Sequence, residues 1–221
     1  MLTTERDMRT AIVAACRHMN DVGINQGISG NISVRFENRM LITPSAVPYD
    51  RMEADMIVSI PMKDFPGAWV GPLKPSTEWR MHLKLLQSHR DAGAVLHAHP
   101  VFCTALAMAR KPIPSCHYMI AAFGGCDVRC AGYATYGAEE LSDFAVEAMQ
   151  DRTACLLANH GMVVTGTTLE QALWRAKELE TIAKQYVISL SIGGPVLLSG
   201  AEIDETLSGF TSYGVSDNNN R

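Results

Sequence analysis

Apolar residues recur at helical spacing from the start of the chain. Met8, Ile12, Ala15, Cys16 and Met19 follow the helix start Thr3-Thr4-Glu5-Arg6-Asp7, and Gly23 stops the run. The period then shortens to two. Ile32, Val34 and Phe36 alternate within 31–36, Glu37-Asn38 turns the chain, and Met40-Leu41-Ile42 returns as a second strand. A third is expected at Ile57–Ile60. Residues 61–75 are rich in Pro and Gly and read as a loop or short hairpin. Ser76 is expected to cap a helix to about Gln87 with Trp79, Leu83 and Leu86 on its apolar side. Ala94–His97 is a short buried strand, and Pro100 opens a helix through Met108. A helix over Ala138–Met149 follows. Strands at Thr153–Asn159 and Met162–Val164 flank His160-Gly161. A long helix spans Leu169–Leu190, and a shorter one ends near Leu207.

Helices and strands interleave, so the class is α/β or α+β. No internal repeat or clean linker divides the chain. One domain over 1–215 is expected, with a polar, disordered tail at 216–221.

At 221 residues with 47% hydrophobic content, a sizeable core is available. The formal net charge is −4 and no basic run appears, which argues against nucleic acid or an anionic membrane as partner. A single phosphate remains compatible, because backbone N–H groups hold one without a basic surface. The polar start MLTTERDMRT has no signal-peptide character, and no apolar run approaches a membrane span, so a cytoplasmic protein is expected. None of the six cysteines forms a CxxC pair, and they read as buried reduced thiols.

The candidate chemistry begins at His97-Ala98-His99, at the end of an apolar strand. Residues two apart on a strand share a face, so both imidazoles can converge on one cation. Alone, such a pair also fits ordinary core or surface histidines. His160, between Asn159 and Gly161 after the apolar strand 154–158, adds a third donor. Three histidines with an open fourth position are a common catalytic zinc arrangement. His18, His89 and His117 carry no such signal. His82, four residues after Glu78, allows a helical Glu–His pair. Glu78 itself fits a helix start for dipole reasons alone, although Ser76 and Thr77 beside it also suit an anion site. The segments Gly27–Asn31 and Thr43–Ala46 are further loops able to approach a phosphate closely.

Taken together, SGNISVR (29–35), LITPSAVPY (41–49), PSTEWRMH (75–82), VLHAHPVFCTA (95–105), IPSCHYMIAAFGG (113–125), AGYATYG (131–137), NHG (159–161) and ALWRAKELE (172–180) resemble the class II aldolase/adducin family in order and spacing. The resemblance covers nearly the whole chain and is tightest with the branch that cleaves L-fuculose 1-phosphate. It implies a single α/β/α domain with a largely antiparallel sheet, assembled as a homotetramer with active sites at subunit interfaces. It implies Zn2+ held by His97, His99, His160 and Glu78, with Mn2+ or Co2+ as alternatives. The phosphate cradle would be Gly30, Asn31, Ser45, Ala46, Ser76 and Thr77. Tyr118, from a neighbouring subunit, and the tail residue Tyr213 would serve catalysis, and Tyr136 would lie near the aldehyde half. The implied activity is reversible cleavage of a ketose 1-phosphate to dihydroxyacetone phosphate and an aldehyde, with Glu78 protonating the carbon.

Three departures from the family pattern bear on specificity. Ala46 stands where glycine is usual, Tyr136 where the fuculose-phosphate branch has phenylalanine, and residues 61–72 differ. A deoxy- or methylthio-pentulose 1-phosphate is therefore an alternative substrate. A 4-epimerase, dehydratase or decarboxylase of the same superfamily, a zinc hydrolase and a non-catalytic adducin-like domain are the other readings.

Overall fold

The computed structural model describes residues 4–63 and 68–210. Tyr213 and the tail 216–221 lie outside the described residues. The chain runs α1 (Glu5–Asp21), β1 (Asn31–Phe36), β2 (Arg39–Ile42), β3 (Val58–Pro61), α2 (Trp79–Ser88), β4 (Ala94–Ala98), α3 (Val101–Met108), β5 (Cys130–Ala131), α4 (Glu139–Ala148), β6 (Ala154–Leu157), β7 (Gly161–Gly166), α5 (Leu169–Leu190) and α6 (Gly200–Phe210). Short 3-10 turns cover Ala54–Met56 and Tyr118–Phe123. The sheet order is β3-β2-β1-β4-β7-β6-β5. Its pairings are antiparallel except β5 on β6.

Local chemistry accounts for the elements. Thr4 and Asp7 close a reciprocal capping box at the start of α1. The alternation of the strands sorts side chains to the two faces of the sheet. Ile32, Val34, Leu96, Leu156 and Val164 pack under α1, α3 and α5. Met40, Ile42, Val95, Cys155 and Val163 pack under α2 and α4. The expected α/β/α layering is therefore what forms. Among the described residues, no helix is long and apolar enough to cross a membrane.

Several local expectations are corrected. The third strand lies one residue later than its apolar run, because its ladder with β2 runs from Val58 opposite Ile42 to Pro61 opposite Arg39, and Ser59 also bridges to Val70 through both N–H and C=O. α2 begins at Trp79, not at Ser76. Glu78 occupies the N-cap position, and Ser76 Oγ accepts the Glu78 N–H at 3.3 Å before the helix starts. All six cysteines are free. Cys16, Cys103 and Cys155 are buried as expected, whereas Cys116 and Cys130 are half-buried and Cys126 is exposed.

One capping interaction fixes the element that follows the HxH pair. Pro100 at the N-cap of α3 offers no side-chain acceptor. Glu180 on α5 takes that role, accepting from the N–H groups of Phe102 and Cys103 at 2.9 Å each. Losing such a cap typically costs about 1–2 kcal/mol. Glu180→Ala should lower stability in chemical denaturation by that amount, with Glu180→Gln intermediate; an unshifted midpoint would show that α3 does not depend on this carboxylate.

Candidate metal centre

β4 is the central strand, paired with β1 on one side and β7 on the other. His97 lies opposite Asn31 of β1 and Val163 of β7. It shares the α2 side of the sheet with Val95 and is fully buried. His99 follows the last residue of β4, and His160 sits in the turn between β6 and β7. The turn passes through Asn159 at φ 54, a left-handed conformation that Asn tolerates. Gly161 lets it press against β4, since a Cβ there would lie 2.5 Å from the His99 ring and 2.6 Å from the Ala98 carbonyl oxygen.

The three imidazoles meet with ring centroids 4.7–4.9 Å apart. Their ligand atoms all lie within 4.8 Å of one another. His97 Nδ1 donates to the Met162 carbonyl at 2.8 Å, which leaves Nε2 as the lone-pair nitrogen. That Nε2 lies 2.9 Å from His99 Nε2 and 3.2 Å from Glu78 Oε2. Glu78 Oε1 lies 3.5 Å from His160 Nε2 and is buried without a hydrogen-bond partner.

A cation fits this donor set. Ligand atoms of a tetrahedral zinc with bonds of about 2.0–2.2 Å stand roughly 3.3 Å apart, the spacing seen around Glu78 and His97. Facing imidazole lone pairs and an orphaned carboxylate oxygen repel or remain unsatisfied on their own, and a shared cation answers both. His97, His99 and His160 thus form a group able to hold a metal ion, with Glu78 as the adjoining carboxylate.

The electrostatics agree. Burial works against ionising Glu78, but its placement beside His97 and His160 and the hydrogen bond from Asn31 outweigh it. The carboxyl is held well below the usual carboxylate range. Burial likewise opposes protonation of His97, yet Glu78 raises its pKa overall. Burial, then the charge of His97, pushes His99 down to about 3 and His160 to about 4. Both shifts favour the neutral imidazole, the form able to donate a lone pair to a cation.

A cavity of about 550 Å³ opens over the centre. Gly30, Asn31, Ser45, Ala46, Ser76, Thr77, Glu78, Tyr136, His99 and His160 all line it. His97 lies beneath, fully buried. The cradle loops are closed on each other: Ser45 N–H donates to the Lys74 carbonyl at 3.0 Å, and Ser76 N–H to the Thr43 carbonyl at 2.9 Å. Both serines accordingly offer hydroxyls rather than amides. Gly30 is required by close approach, since a Cβ would lie 2.9 Å from the His97 carbonyl oxygen. Ala46, where the loop needs a left-handed residue, has φ 59.

One expected residue, Tyr118, is not brought to this cavity by the chain's own fold. Tyr118 is half-exposed and lines a separate cavity of about 820 Å³ with Trp174 and Leu207. Tyr213 is outside the described residues. His82 is not paired with Glu78 on a metal, because Ser33 and Asn31 occupy its two nitrogens. His117 serves as a cap, accepting from Met119 N–H. The cavity also includes Ile28 and Ser29 of the 27–31 loop and Asn159 beside His160, together with Tyr133 and Thr135, which the residue pattern did not single out. Tyr133 and Thr135 lie just before Gly137, which packs against the Thr77 carbonyl, a tertiary placement without a local signal.

Residues 10–187 match the family described as Class II Aldolase and Adducin N-terminal domain. The L-fuculose phosphate aldolase of Escherichia coli (strain K12) is 44% identical over 205 residues, covering 92% of this chain and 94% of that protein. The 5-methylthioribulose-1-phosphate/5-deoxyribulose-1-phosphate aldolase of Rhodospirillum rubrum is also 44% identical, over 207 residues, covering 94% of this chain and 92% of that protein. A solved L-fuculose 1-phosphate aldolase superposes with a TM-score of 0.89 at 36% identity, covering 93% of this chain and 96% of that one.

The geometry makes two expectations. Wild-type protein should carry one divalent metal per chain, and His97→Ala or His160→Ala should carry none by elemental analysis. Gly161→Ala should also lose metal, although it removes no ligand, because His99 must move; full occupancy in that variant contradicts the packing argument. Separately, left-handed strain of about 1–2 kcal/mol at Ala46, less the greater chain entropy of glycine, means that Ala46→Gly should stabilise the fold by up to about 1 kcal/mol in a denaturation series.

Proposed function

The chain belongs to the class II aldolase and adducin family, and we propose that it is a zinc-dependent aldolase that reversibly cleaves a ketose 1-phosphate to dihydroxyacetone phosphate and an aldehyde. The single observation that carries this reading is the meeting of the histidine group with Glu78 at the floor of a cavity whose rim is built from Gly30, Ser45, Ser76 and Thr77. One end suits a phosphate, the other a metal, and a short ketose spans the distance. A hydrolase needs the metal but not the phosphate loops. A binding domain of the adducin type needs neither the ligands nor an orphaned buried carboxylate oxygen.

In this reading, hydroxyls of Ser45, Ser76 and Thr77, with the Asn31 amide, hold the phosphate and fix the register of the sugar. A divalent cation on His97, His99, His160 and Glu78 supplies Lewis acidity, stabilising the negative charge left when the C3–C4 bond breaks. Glu78 carries the proton to and from the carbon of the dihydroxyacetone half. Its place between the metal ligands and the cradle gives it reach to that carbon. Tyr118 moves the proton on the hydroxyl that becomes the aldehyde oxygen, supplied by a neighbouring subunit. Its position outside its own chain's cavity supports that assignment, as does the exposed apolar surface around Trp174 and Leu207. A homotetramer with shared sites accommodates both facts. The six free thiols fit a reducing, cytoplasmic setting.

Tyr136, exposed at the cavity rim, lies toward the aldehyde half and bears on substrate choice. The curated relatives divide at equal identity between a fuculose phosphate and a methylthio- or deoxy-ribulose phosphate. Aldol cleavage of any of these ketose 1-phosphates between C3 and C4 releases the same three-carbon phosphate, so the aldehyde half alone distinguishes them.

The test is to incubate the purified protein with dihydroxyacetone phosphate and a panel of short aldehydes, including lactaldehyde, acetaldehyde and methylthioacetaldehyde, and to identify products by mass and NMR. Condensation products that form only with bound metal are expected; none with any aldehyde would contradict the reading. Glu78→Gln should fold and bind phosphate but lose about 10²–10⁴-fold in turnover. Glu78→Gln and Tyr118→Phe homo-oligomers should each be nearly inactive. Refolding them together should restore part of the activity, and mixed oligomers without recovery would place Tyr118 outside a shared site.

A further inference from the structure

We propose that His82 is a positioning residue for this reaction, acting through Asn31 to hold the Glu78 carboxylate against the histidines while keeping the second Asn31 N–H available to the cavity. The proposal rests on the aldolase reading, in which Glu78 is both ligand and proton carrier.

His82 is fully buried, and both ring nitrogens have polar partners: Nδ1 is 2.8 Å from Ser33 Oγ, and Nε2 is 2.5 Å from Asn31 Oδ1. Asn31 Nδ2 in turn donates to Glu78 Oε2 at 2.9 Å. The donors and acceptors run in one direction. An ionised Glu78 accepts only, so the Asn31 amide must turn its NH2 group toward it. Asn31 Oδ1 then faces His82 and needs a donor, so Nε2 carries the ring proton. Nδ1 is left as the acceptor for the Ser33 hydroxyl. A neutral imidazole has this one-donor, one-acceptor pattern, and burial keeps the ring neutral by pushing its pKa down to about 3.

The chain of bonds is also closed. His82 follows Glu78 by one helical turn on α2, with its N–H donating to the Glu78 carbonyl oxygen at 3.4 Å. Ser33 and Asn31 stand on the same face of β1, two residues apart. Helix, strand and side chains thus form a ring that ties the carboxylate to the sheet end where His97 lies opposite Asn31. A space-filling core residue would need neither nitrogen matched in this sense. One Asn31 N–H meets Glu78, and Asn31 also lines the cavity, so its second N–H is the donor this arrangement leaves for a bound molecule.

The test compares His82→Met, which fills the volume but donates nothing, with His82→Gln, whose amide places a donor near the imidazole Nε2 position. Each is made alone and in an Asn31→Ala background. Zinc affinity is read by chelator competition, and kcat and KM are read for cleavage. Partners one shell beyond a metal ligand typically affect affinity by about 10–100-fold. His82→Met should weaken zinc by about 10-fold and lower kcat more than it changes KM, and His82→Gln should recover most of both. In the Asn31→Ala background, either substitution should add less than about 2-fold, since coupled residues are non-additive. Additive losses, or Met and Gln variants that fall alike with thermal stability, would overturn the proposal. If His82→Met does not fold, Ser33→Ala carries the same test from the far end. A fall in zinc affinity that vanishes in Asn31→Ala supports the chain, and unchanged affinity overturns it. The zinc measurement needs no substrate, so a protein that binds zinc normally yet cleaves no ketose phosphate marks failure of the aldolase reading alone.

Discussion

The Glu78 carboxylate is almost fully buried between two imidazoles and one amide, and the surrounding architecture exists to make that tolerable. Burying an ionised carboxylate is costly unless charge and hydrogen bonds replace the lost water. Here His97 and His160 approach its two oxygens from the sheet, and Asn31 donates from the neighbouring strand. One oxygen still lacks a hydrogen bond from the protein, which a cation shared with the histidines would answer. The same incompleteness that makes the group a poor stability element suits it to the ligand and proton-carrier roles proposed for it.

The antiparallel sheet supplies the convergence. β1, β4 and β7 are neighbours in the sheet, so Asn31, His97 and the turn bearing His160 arrive at one end of adjacent strands although long stretches of chain separate them. α2 brings Glu78 to that end at its N-cap. Because no side chain caps the helix there, Glu78 is released to point at the histidines. The loops bearing Ser45 and Ser76 complete the rim through backbone hydrogen bonds from each serine N–H to an opposing loop carbonyl, Lys74 and Thr43 respectively. Tyr118, in the 3-10 turn against α6, belongs to the opposite logic: its own chain gives it no route to the cavity.

Much of this is legible in the residues. The HxH pair at a strand end and His160 before glycine announce a metal group through strand periodicity, and the interleaved pattern announces the layered sheet. The order of motifs shared with the family adds Glu78 and the cradle, which residue chemistry leaves open. What escapes has physical reasons. β5 is two residues long and stands only because β6 offers it an edge. The helix at 79–88 starts later than Ser76 suggests, because Ser76 Oγ is spent on the turn at Glu78 rather than on a helix cap. His82 reads as an ordinary helical histidine, since its partners Ser33 and Asn31 lie 49 and 51 residues away and no local spacing reports them. Tyr133 and Thr135 reach the cavity by loop placement alone.

The central claim is that Glu78, held beside the metal ligands, moves a proton at carbon on the dihydroxyacetone half of the substrate. Incubating the metal-loaded protein with dihydroxyacetone phosphate alone in D2O isolates that step, because no aldehyde is needed. NMR and mass spectrometry should show stereospecific replacement of one hydrogen on the hydroxymethyl carbon, abolished by chelator and by Glu78→Gln. Exchange that persists unchanged in Glu78→Gln, or its absence in a protein that cleaves ketose 1-phosphates normally, would contradict the account.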